Sequence, residues 1–217
     1  MDLSSCFANV AVERKQEEEC DEDNYLYCED CDKMLKNGCS VHSFKVPNSR
    51  MKWGMPKRAQ RTCPRGILIG WSDILIYTNG ARAIIDFPKN TVFGPYEGEY
   101  IDQHNMQRFF PSLEGGYTWG IYKNGKLSHY IDGGDESKSS WLRYIRRARK
   151  EEEQNVEAFQ FQGKIYFRTI KNVAKRTELL FWYDKKYAEF LGLLTKEASR
   201  KKMEELAALP LSNNVLD

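Results

Sequence analysis

The sequence lacks any uninterrupted apolar stretch of about 18 residues, the length that a membrane-spanning helix needs. Residues 1–24 also lack the short apolar core of a secretory signal peptide. These two absences predict a protein of the cytosol or the nucleus, where cysteines stay reduced. The 33 basic and 31 acidic residues nearly cancel, so net charge gives no general drive toward nucleic acid.

The sequence also lacks the arrangements on which several enzyme classes depend. Neither a Ser-His-Asp order nor a pair of carboxylates at catalytic spacing can be recognised. No nucleotide-type glycine loop and no internal repeat is present. His104 and His129 are therefore interpreted as plain loop and strand residues.

One short stretch holds a concentration of metal-ligating side chains. Cys28, Cys31, Cys39 and His42 have the spacing C-x2-C-x7-C-x2-H. Two short-spaced pairs joined by a loop can converge on one tetrahedral ion, and zinc accepts three thiolates and an imidazole. Four protein ligands leave no open position for a reacting water, so the zinc would be structural.

Three other interpretations of these cysteines are weaker. A disulfide needs an oxidising compartment, which nothing in the sequence indicates. A redox CxxC pair should follow a strand within a βαβ unit, and no such unit is present. A chance clustering has no reason to reproduce this spacing. The remaining cysteines, Cys6, Cys20 and Cys63, are predicted to be unpaired thiols without a role.

Short segments rich in β-branched and aromatic residues recur from residue 66 onward, each bounded by turn residues. They are 67–70, 74–78, 91–93, 117–122, 129–131, 159–161, 164–170 and 179–183. This pattern predicts a mainly β (β-rich α+β) fold of several small sheets. Helical spacing of apolar residues predicts one helix over 137–150 and a C-terminal helix over 195–209.

Composition divides the chain into five predicted parts. Residues 1–24 form a disordered acidic lead-in, 25–45 a zinc knuckle and 46–65 a basic connector. Residues 66–192 form the β-rich domain, and 193–217 the C-terminal helix and tail. The connector is interpreted either as a solvated linker or as a surface that meets acidic nucleosome or nucleic acid.

Specific strings resemble the PR/SET domain of the PRDM proteins. They are FGPYEG at 93–98, YTW at 117–119, DG at 132–133, WLRY at 141–144, EQN at 153–155, AFQ at 158–160 and ELLFWY at 178–183. The knuckle and the GMPKR connector are most similar to those of the family's meiotic histone-methylating member. The resemblance runs from about residue 25 to residue 192.

The resemblance implies a nuclear, SET-type histone-lysine methyltransferase that uses S-adenosylmethionine and acts on the histone H3 tail. It also implies chromatin-associated partners, although this sequence carries no finger array for reading DNA. The alternative is a PR domain with weak or no catalysis that serves as a protein-interaction module in a transcription regulator, because fold does not fix activity.

The same resemblance assigns roles to individual residues. Tyr183 and Tyr96 match tyrosines of the lysine channel and are the catalytic candidates. The matching cofactor positions are Ile76, Tyr77, Thr78, Tyr117, Arg146 and Arg147. The matching substrate positions are Glu114, Gly115, Gly116, Tyr117, Thr118, Trp119, Gly120 and Tyr183.

The sequence departs from the family at three places. The turn near 76–78 has lost its glycines, unless Asn79-Gly80 substitutes with a small shift. An Asn-Cys pair is replaced by Arg146-Arg147, which would either crowd the adenine or face solvent. A channel tyrosine is replaced by Phe167, and Tyr166 beside it would point to the opposite face of its strand.

Overall fold

The computed structural model describes residues 22–28, 30–42, 44–102, 117–124 and 126–182. The described chain is built mainly of short strands in several small sheets, which confirms the predicted fold class. The predicted C-terminal helix over 195–209 lies outside the described residues. None of the described helices has the length and apolar character needed to span a bilayer.

Thirteen strands occur in the described residues. They are β1 (Tyr25–Cys28), β2 (Lys33–Lys36), β3 (Phe44–Pro47), β4 (Ile67–Trp71), β5 (Asn79–Ala83), β6 (Thr91–Gly94), β7 (Glu99–Asp102), β8 (Thr118–Lys123), β9 (Lys126–Asp132), β10 (Arg146–Arg147), β11 (Val156–Phe161), β12 (Lys164–Thr169) and β13 (Leu180–Phe181). Short helical turns occupy Glu22–Asn24, α1 (Arg58–Arg61), Trp141–Tyr144 and Glu151–Glu153.

The largest sheet has six strands in the order β10-β13-β11-β12-β6-β3. The hairpin β11–β12 forms its antiparallel centre, whereas β13 and β3 join by parallel pairing with β11 and β6. The other sheets are the hairpin β1–β2, the hairpin β4–β5 and the three-stranded β7-β9-β8. The parallel pairs join segments far apart in sequence, so the fold depends on contacts that no local pattern contains.

An aromatic core joins these sheets. Phe93 of β6 contacts Trp141 edge-on, with ring centroids 5.5 Å apart, and contacts Phe87 in the same manner at 5.1 Å. Trp119 of β8 contacts Phe167 of β12 at 5.5 Å. Edge-to-face pairs of this kind add to the free energy gained from burying the rings themselves. The core therefore fixes the three-stranded sheet against the six-stranded one.

The prediction of a solvated connector over 46–65 is wrong. β3 pairs with β6, and Asn48 bonds both the Pro95 carbonyl and the indole N–H of Trp141. Arg58 is buried, with its guanidinium donating to the Ser139 carbonyl and pairing with Glu97 at 2.8 Å. The basic composition predicted exposure to solvent, because the sequence does not show which distant residues will pair with a charged side chain.

The helix predicted over 137–150 is also wrong. Only Trp141–Tyr144 is helical, and this single turn is of the tight 3-10 type. The chain then extends, because Arg146 and Arg147 pair in parallel with Leu180 and Phe181 of β13. The apolar spacing that predicted a helix instead places Trp141, Leu142 and Ile145 in the core around this turn.

The strand predicted over 74–78 is a turn. β5 begins at Asn79, and residues 72–78 form the loop that joins it to β4. Ile76 and Tyr77 are 83% and 90% exposed, and Tyr77 has a positive φ of 59°. An apolar run alone does not specify a strand when its side chains find no sheet face to cover.

The buried Arg58 generates a test of the corrected connector. Arg58→Ala should lower the free energy of unfolding by about 2–3 kcal/mol, because it removes a buried partner of Glu97 while Glu97 keeps some access to solvent. Arg61→Ala, an exposed position of the same helix, should change it by less than about 0.5 kcal/mol. Urea unfolding measures both, and equal effects would contradict the packed connector.

Candidate zinc cluster and cofactor site

The four predicted metal ligands converge in the structure. The ligand atoms of Cys28, Cys31, Cys39 and His42 all lie within 4.8 Å of one another. The His42 Nδ1 atom is 3.6, 3.2 and 3.7 Å from the Sγ atoms of Cys28, Cys31 and Cys39, and the Sγ atoms of Cys31 and Cys39 are 3.8 Å apart. Zinc bonds of about 2.3 Å to sulfur and about 2.0 Å to nitrogen give tetrahedral edges of about 3.5–3.8 Å. The donor set and its spacing therefore fit zinc.

The backbone around Cys39 favours a thiolate. The His42 N–H donates to the Cys39 sulfur at 3.3 Å, and this bond, with one from Val41, lowers the pKa of Cys39 to about 7. Burial raises the pKa of Cys31 to about 11. Without an ion, the Cys31 thiol therefore keeps its proton at neutral pH. A divalent cation bound among the four ligands would displace that proton.

A second group of side chains gathers around Tyr117, one of the predicted cofactor and substrate residues. Arg146 donates from Nε to the Asn79 carbonyl at 2.7 Å and from Nη1 to the Tyr117 hydroxyl at 3.1 Å. The structure thus brings together two of the predicted cofactor positions, 117 and 146, with the first residue of β5. From the sequence, Asn79 was expected only to replace, together with Gly80, the glycines missing from the turn near residues 76–78.

Arg143 lies against the Tyr117 ring, with its guanidinium carbon 4.4 Å from the ring centroid. Its nitrogens donate to the carbonyls of Gly133 and Gly134 and to the carboxylate of Glu136. Sequence reasoning gave Arg143 no part in the site. Its position within the family string WLRY was the available signal.

Tyr96, a predicted channel tyrosine, is also directed to Tyr117. Its hydroxyl donates to the Tyr117 carbonyl at 2.6 Å. Burial raises the pKa of Tyr96 far above the usual range, so the hydroxyl stays protonated at every physiological pH. The hydroxyl therefore fixes the backbone where β8 begins.

Phe167 is the residue predicted to replace a channel tyrosine of the family. It is fully buried, with its ring 5.5 Å from Trp119 and 5.8 Å from Phe181. Tyr166 stacks with Phe159 instead, at 5.8 Å, so it occupies the opposite face of β12 as predicted. The aromatic face around Phe167 consequently gains no hydroxyl from this hairpin.

β8 is the edge strand of its sheet, and it carries three of the predicted substrate positions, Thr118, Trp119 and Gly120. The N–H of Gly133 bonds the Tyr117 carbonyl, which directs the backbone of 117 and 119 toward β9. By alternation, the N–H and C=O groups of Thr118 and Gly120 point away from β9. The outer side of Tyr122 is covered by the Gln160 amide, which bonds both its N–H and its carbonyl.

The predicted cofactor residues Ile76, Tyr77 and Thr78 belong to the exposed 72–78 loop, and a residue missed from sequence holds this loop in place. Glu178 is buried, and it accepts hydrogen bonds from the Ser72 hydroxyl at 2.7 Å and the Asp73 N–H at 2.6 Å. A Cβ at Gly80 would stand 2.1 Å from the Glu178 carboxylate, so a larger residue there would displace that side chain from its present position. The family string ELLFWY contained Glu178, but its partners are about a hundred residues away.

Several predicted site residues are not part of the group around Tyr117. Arg147 is exposed on the strand that carries Arg146. Tyr183, the first catalytic candidate, and the substrate positions Glu114, Gly115 and Gly116 lie outside the described residues.

Comparison with known proteins gives the family. Residues 68–194, more than half of the chain, match the family model described as the PR domain of PR domain zinc finger protein 2. The chain belongs to the PR domain family. This confirms the resemblance inferred from the motifs.

Relatives and a solved structure agree with this PR domain assignment. The chain is similar to histone-lysine N-methyltransferase PRDM7 of Homo sapiens, at 35% identity over 82% of this chain and 36% of the relative. It is similar to histone-lysine N-methyltransferase set-17 of Caenorhabditis elegans, at 36% identity over 77% of this chain and 60% of that relative. The chain thus spans between about a third and three fifths of these two relatives.

The methyltransferase domain of human PR domain-containing protein 2 is a structural neighbour of this PR domain. The TM-score is 0.50 at 28% identity, covering 59% of this chain and 84% of that one.

The zinc cluster generates a direct measurement. Purified protein should contain about one zinc per chain, and Cys39→Ser should lose it, because three ligands hold the ion far less tightly than four. Cys63→Ala is the matched control, since Cys63 lies outside the cluster, and its zinc content should be unchanged. Elemental analysis reads out both variants. If protein purified without chelators contained no zinc, the predicted zinc site would be wrong.

The Glu178 contacts generate a second measurement. Glu178→Gln should lower the free energy of opening of the 72–78 loop by about 1–3 kcal/mol. The reason is that the new amide N–H₂ would face one of the two groups, the Ser72 hydroxyl and the Asp73 N–H, that now donate to the carboxylate. Amide hydrogen exchange over residues 72–78 should accelerate accordingly. Glu151→Gln, an exposed carboxylate, serves as the control. Unchanged exchange in Glu178→Gln would mean that these bonds do not hold the loop.

Proposed function

We propose that this PR domain is an S-adenosylmethionine-dependent histone-lysine methyltransferase that acts in the nucleus on the histone H3 tail. The observation that carries the proposal is the convergence at Tyr117 of Arg146, the Asn79 carbonyl, Arg143 and Tyr96. Two predicted cofactor positions and one predicted channel tyrosine meet there. The methyltransferase names of the similar proteins support the same activity.

The residues around Tyr117 suit the proposed cofactor. Tyr117 offers an aromatic ring, and Arg146 offers a cationic hydrogen-bond donor that is held in place by the Asn79 carbonyl. This set matches a ligand that joins an aromatic base to a charged amino acid. When bound, S-adenosylmethionine supplies a methyl group already activated by its sulfonium.

The task left to the protein is to hold a neutral lysine amine in line with that methyl group. Free lysine has a pKa of about 10.4, so the surroundings must withdraw the amine from water and favour its deprotonated form. The buried rings of Trp119, Phe167 and Phe181 supply such apolar surroundings beside β8. Tyr183 is proposed to orient the amine through its hydroxyl, and Tyr96 to fix the backbone of Tyr117.

The open edge of β8 supports a peptide substrate. The outward N–H and C=O groups of Thr118 and Gly120 can pair with an extended chain, and main-chain pairing of this kind tolerates many sequences. In the described residues the edge is covered only at Tyr122, by Gln160. A histone tail laid along this edge would bring a lysine side chain toward the aromatic core.

A second candidate function is a PR domain that works as an interaction module without catalysis. The observation in its favour is the apolar tip of the β4–β5 hairpin, where Trp71, Ile76 and Tyr77 are 71%, 83% and 90% exposed. Exposed apolar groups of this size mark contact sites in many proteins. Calorimetry with S-adenosylmethionine separates the two candidates, because only the enzyme needs that ligand.

The catalytic assignment of Tyr183 generates a test of activity. Tyr183→Phe should reduce methyl transfer to a histone H3 peptide by roughly 10²–10³, the cost of one preorganised transition-state hydrogen bond, while cofactor affinity changes little. Tyr187→Phe removes a hydroxyl four residues along the chain and should leave the rate unchanged. Radiolabelled transfer measures the rate, and unfolding curves exclude misfolding. Equal rates for wild type and Tyr183→Phe would mean that the assignment of Tyr183 to the active site is wrong.

A further inference from the structure

Arg146 is half-buried and carries a charge that no described side chain neutralises. Its Nε donates to the Asn79 carbonyl and its Nη1 to the Tyr117 hydroxyl, and both acceptors are uncharged. The ion pairs of the described residues are Arg58–Glu97, Arg82–Asp73, Lys138–Glu99, Lys138–Asp135, Arg143–Glu136, Arg149–Glu153 and Arg168–Glu157. Within that part of the chain, Arg146 therefore lacks a carboxylate.

The contrast with Arg143 is informative. Both guanidinium groups lie near the Tyr117 ring, at 4.4 Å for Arg143 and 5.5 Å for Arg146. Arg143 is balanced by Glu136, at 2.9 Å, and by two carbonyls. Arg146 consequently leaves a net positive charge beside the ring. A cation partly withdrawn from water without a counter-charge is unfavourable, and an anionic group of a ligand would relieve that cost.

The described contacts also show which part of the Arg146 guanidinium remains available to a ligand. An arginine that simply faced solvent would not be fixed between β5 and Tyr117, so that interpretation is wrong for Arg146. A guanidinium has five N–H donors in a flat fork, and two of its nitrogens are engaged here. The third nitrogen, Nη2, has no partner in the described chain and leaves donors for a planar acceptor.

We propose that Arg146 binds the carboxylate of the amino-acid half of S-adenosylmethionine. The inference rests on the proposed function, because it takes the space beside Tyr117 as the cofactor site. The cofactor carries a sulfonium and an ammonium, and the carboxylate is its single anionic group. Arg146 repels the first two and attracts the third, and a guanidinium suits a carboxylate in geometry as well as in charge. Arg146 thereby orients the cofactor's amino-acid end toward β5 and Tyr117.

Calorimetry with two ligands tests this role. S-adenosylmethionine and its decarboxylated form, which differ only in the carboxylate, are titrated into wild type, Arg146→Gln and Arg146→Lys. Arg146→Gln should weaken binding of S-adenosylmethionine about 10- to 100-fold, the range for a charge-assisted hydrogen bond. It should bind the decarboxylated form at least as well as the wild type does, because a repulsive charge is gone. Arg146→Lys, which keeps the charge, should retain part of the affinity.

Arg149→Gln is the matched control, since it makes the same substitution at an exposed arginine paired with Glu153. Its affinity for both ligands should equal that of the wild type. Thermal unfolding of each variant separates lost binding from lost folding.

The outcomes separate the inference from the proposed function. Equal or tighter binding of S-adenosylmethionine by Arg146→Gln overturns the role of Arg146 and leaves the methyltransferase standing. A parallel loss of both ligands in that variant also overturns it, because the residue would then act through the shape of the site. Wild type that binds neither ligand overturns the proposed function, and the role of Arg146 with it.

Discussion

The buried guanidinium of Arg143 is the interaction on which the candidate site depends. It is 8% exposed, and it joins the Gly133–Gly134 turn after β9, the carboxylate of Glu136 and the ring of Tyr117. Tyr144 adds its hydroxyl to the same carboxylate at 2.9 Å. A charge this deeply buried is tolerated because each of the three guanidinium nitrogens donates a hydrogen bond, one of them to a carboxylate. The turn, the short helix and the start of β8 are thereby held as one unit.

This arrangement has an electrostatic consequence for its neighbour. Glu136 binds both Arg143 and Tyr144, and burial, together with the hydrogen bond to Glu136, raises the pKa of Tyr144 to about 12. Arg146, by contrast, is held by two neutral acceptors, the Asn79 carbonyl and the Tyr117 hydroxyl. The resemblance predicts an asparagine at position 146, whereas the chain carries an arginine there that has no acidic partner among the described residues.

The zinc cluster and the sheet are linked through the backbone. His42 stands two residues before β3, which pairs in parallel with β6, and Asp30 of the cluster loop accepts a hydrogen bond from Asn90 just before β6. A bound ion would restrict the chain that enters β3 and so favour the parallel register. Loop closure by a metal acts in this way on the ordering entropy of the segment that it ties. With zinc bound, the knuckle would contribute to the assembly of the domain, and a closed set of four protein ligands would leave the ion no open position for chemistry.

How far the sequence predicted the molecule depended on the range of the contacts involved. Cys28, Cys31, Cys39 and His42 could be predicted as a group because all lie within fifteen residues. The central hairpin β11–β12 could be predicted because its turn and its alternation are local. Residues 74–78 were mispredicted because Glu178, which holds their loop, lies 105 residues from its partner Asp73. Arg58 was mispredicted because its partner Ser139 lies 81 residues away.

The two tyrosines carried over from the family illustrate what only the structure adds. The family resemblance predicts the same role for Tyr96 and Tyr183, each as a tyrosine whose hydroxyl lines one channel. In the fold, the Tyr96 hydroxyl is already donated to the Tyr117 carbonyl, and a hydroxyl has one proton to give. With Phe167 closed between Trp119 and Phe181, neither of these two positions offers a free donor to a substrate amine. We therefore propose that Tyr183 orients that amine, and that the role of Tyr96 is to place Tyr117 beside its two arginines.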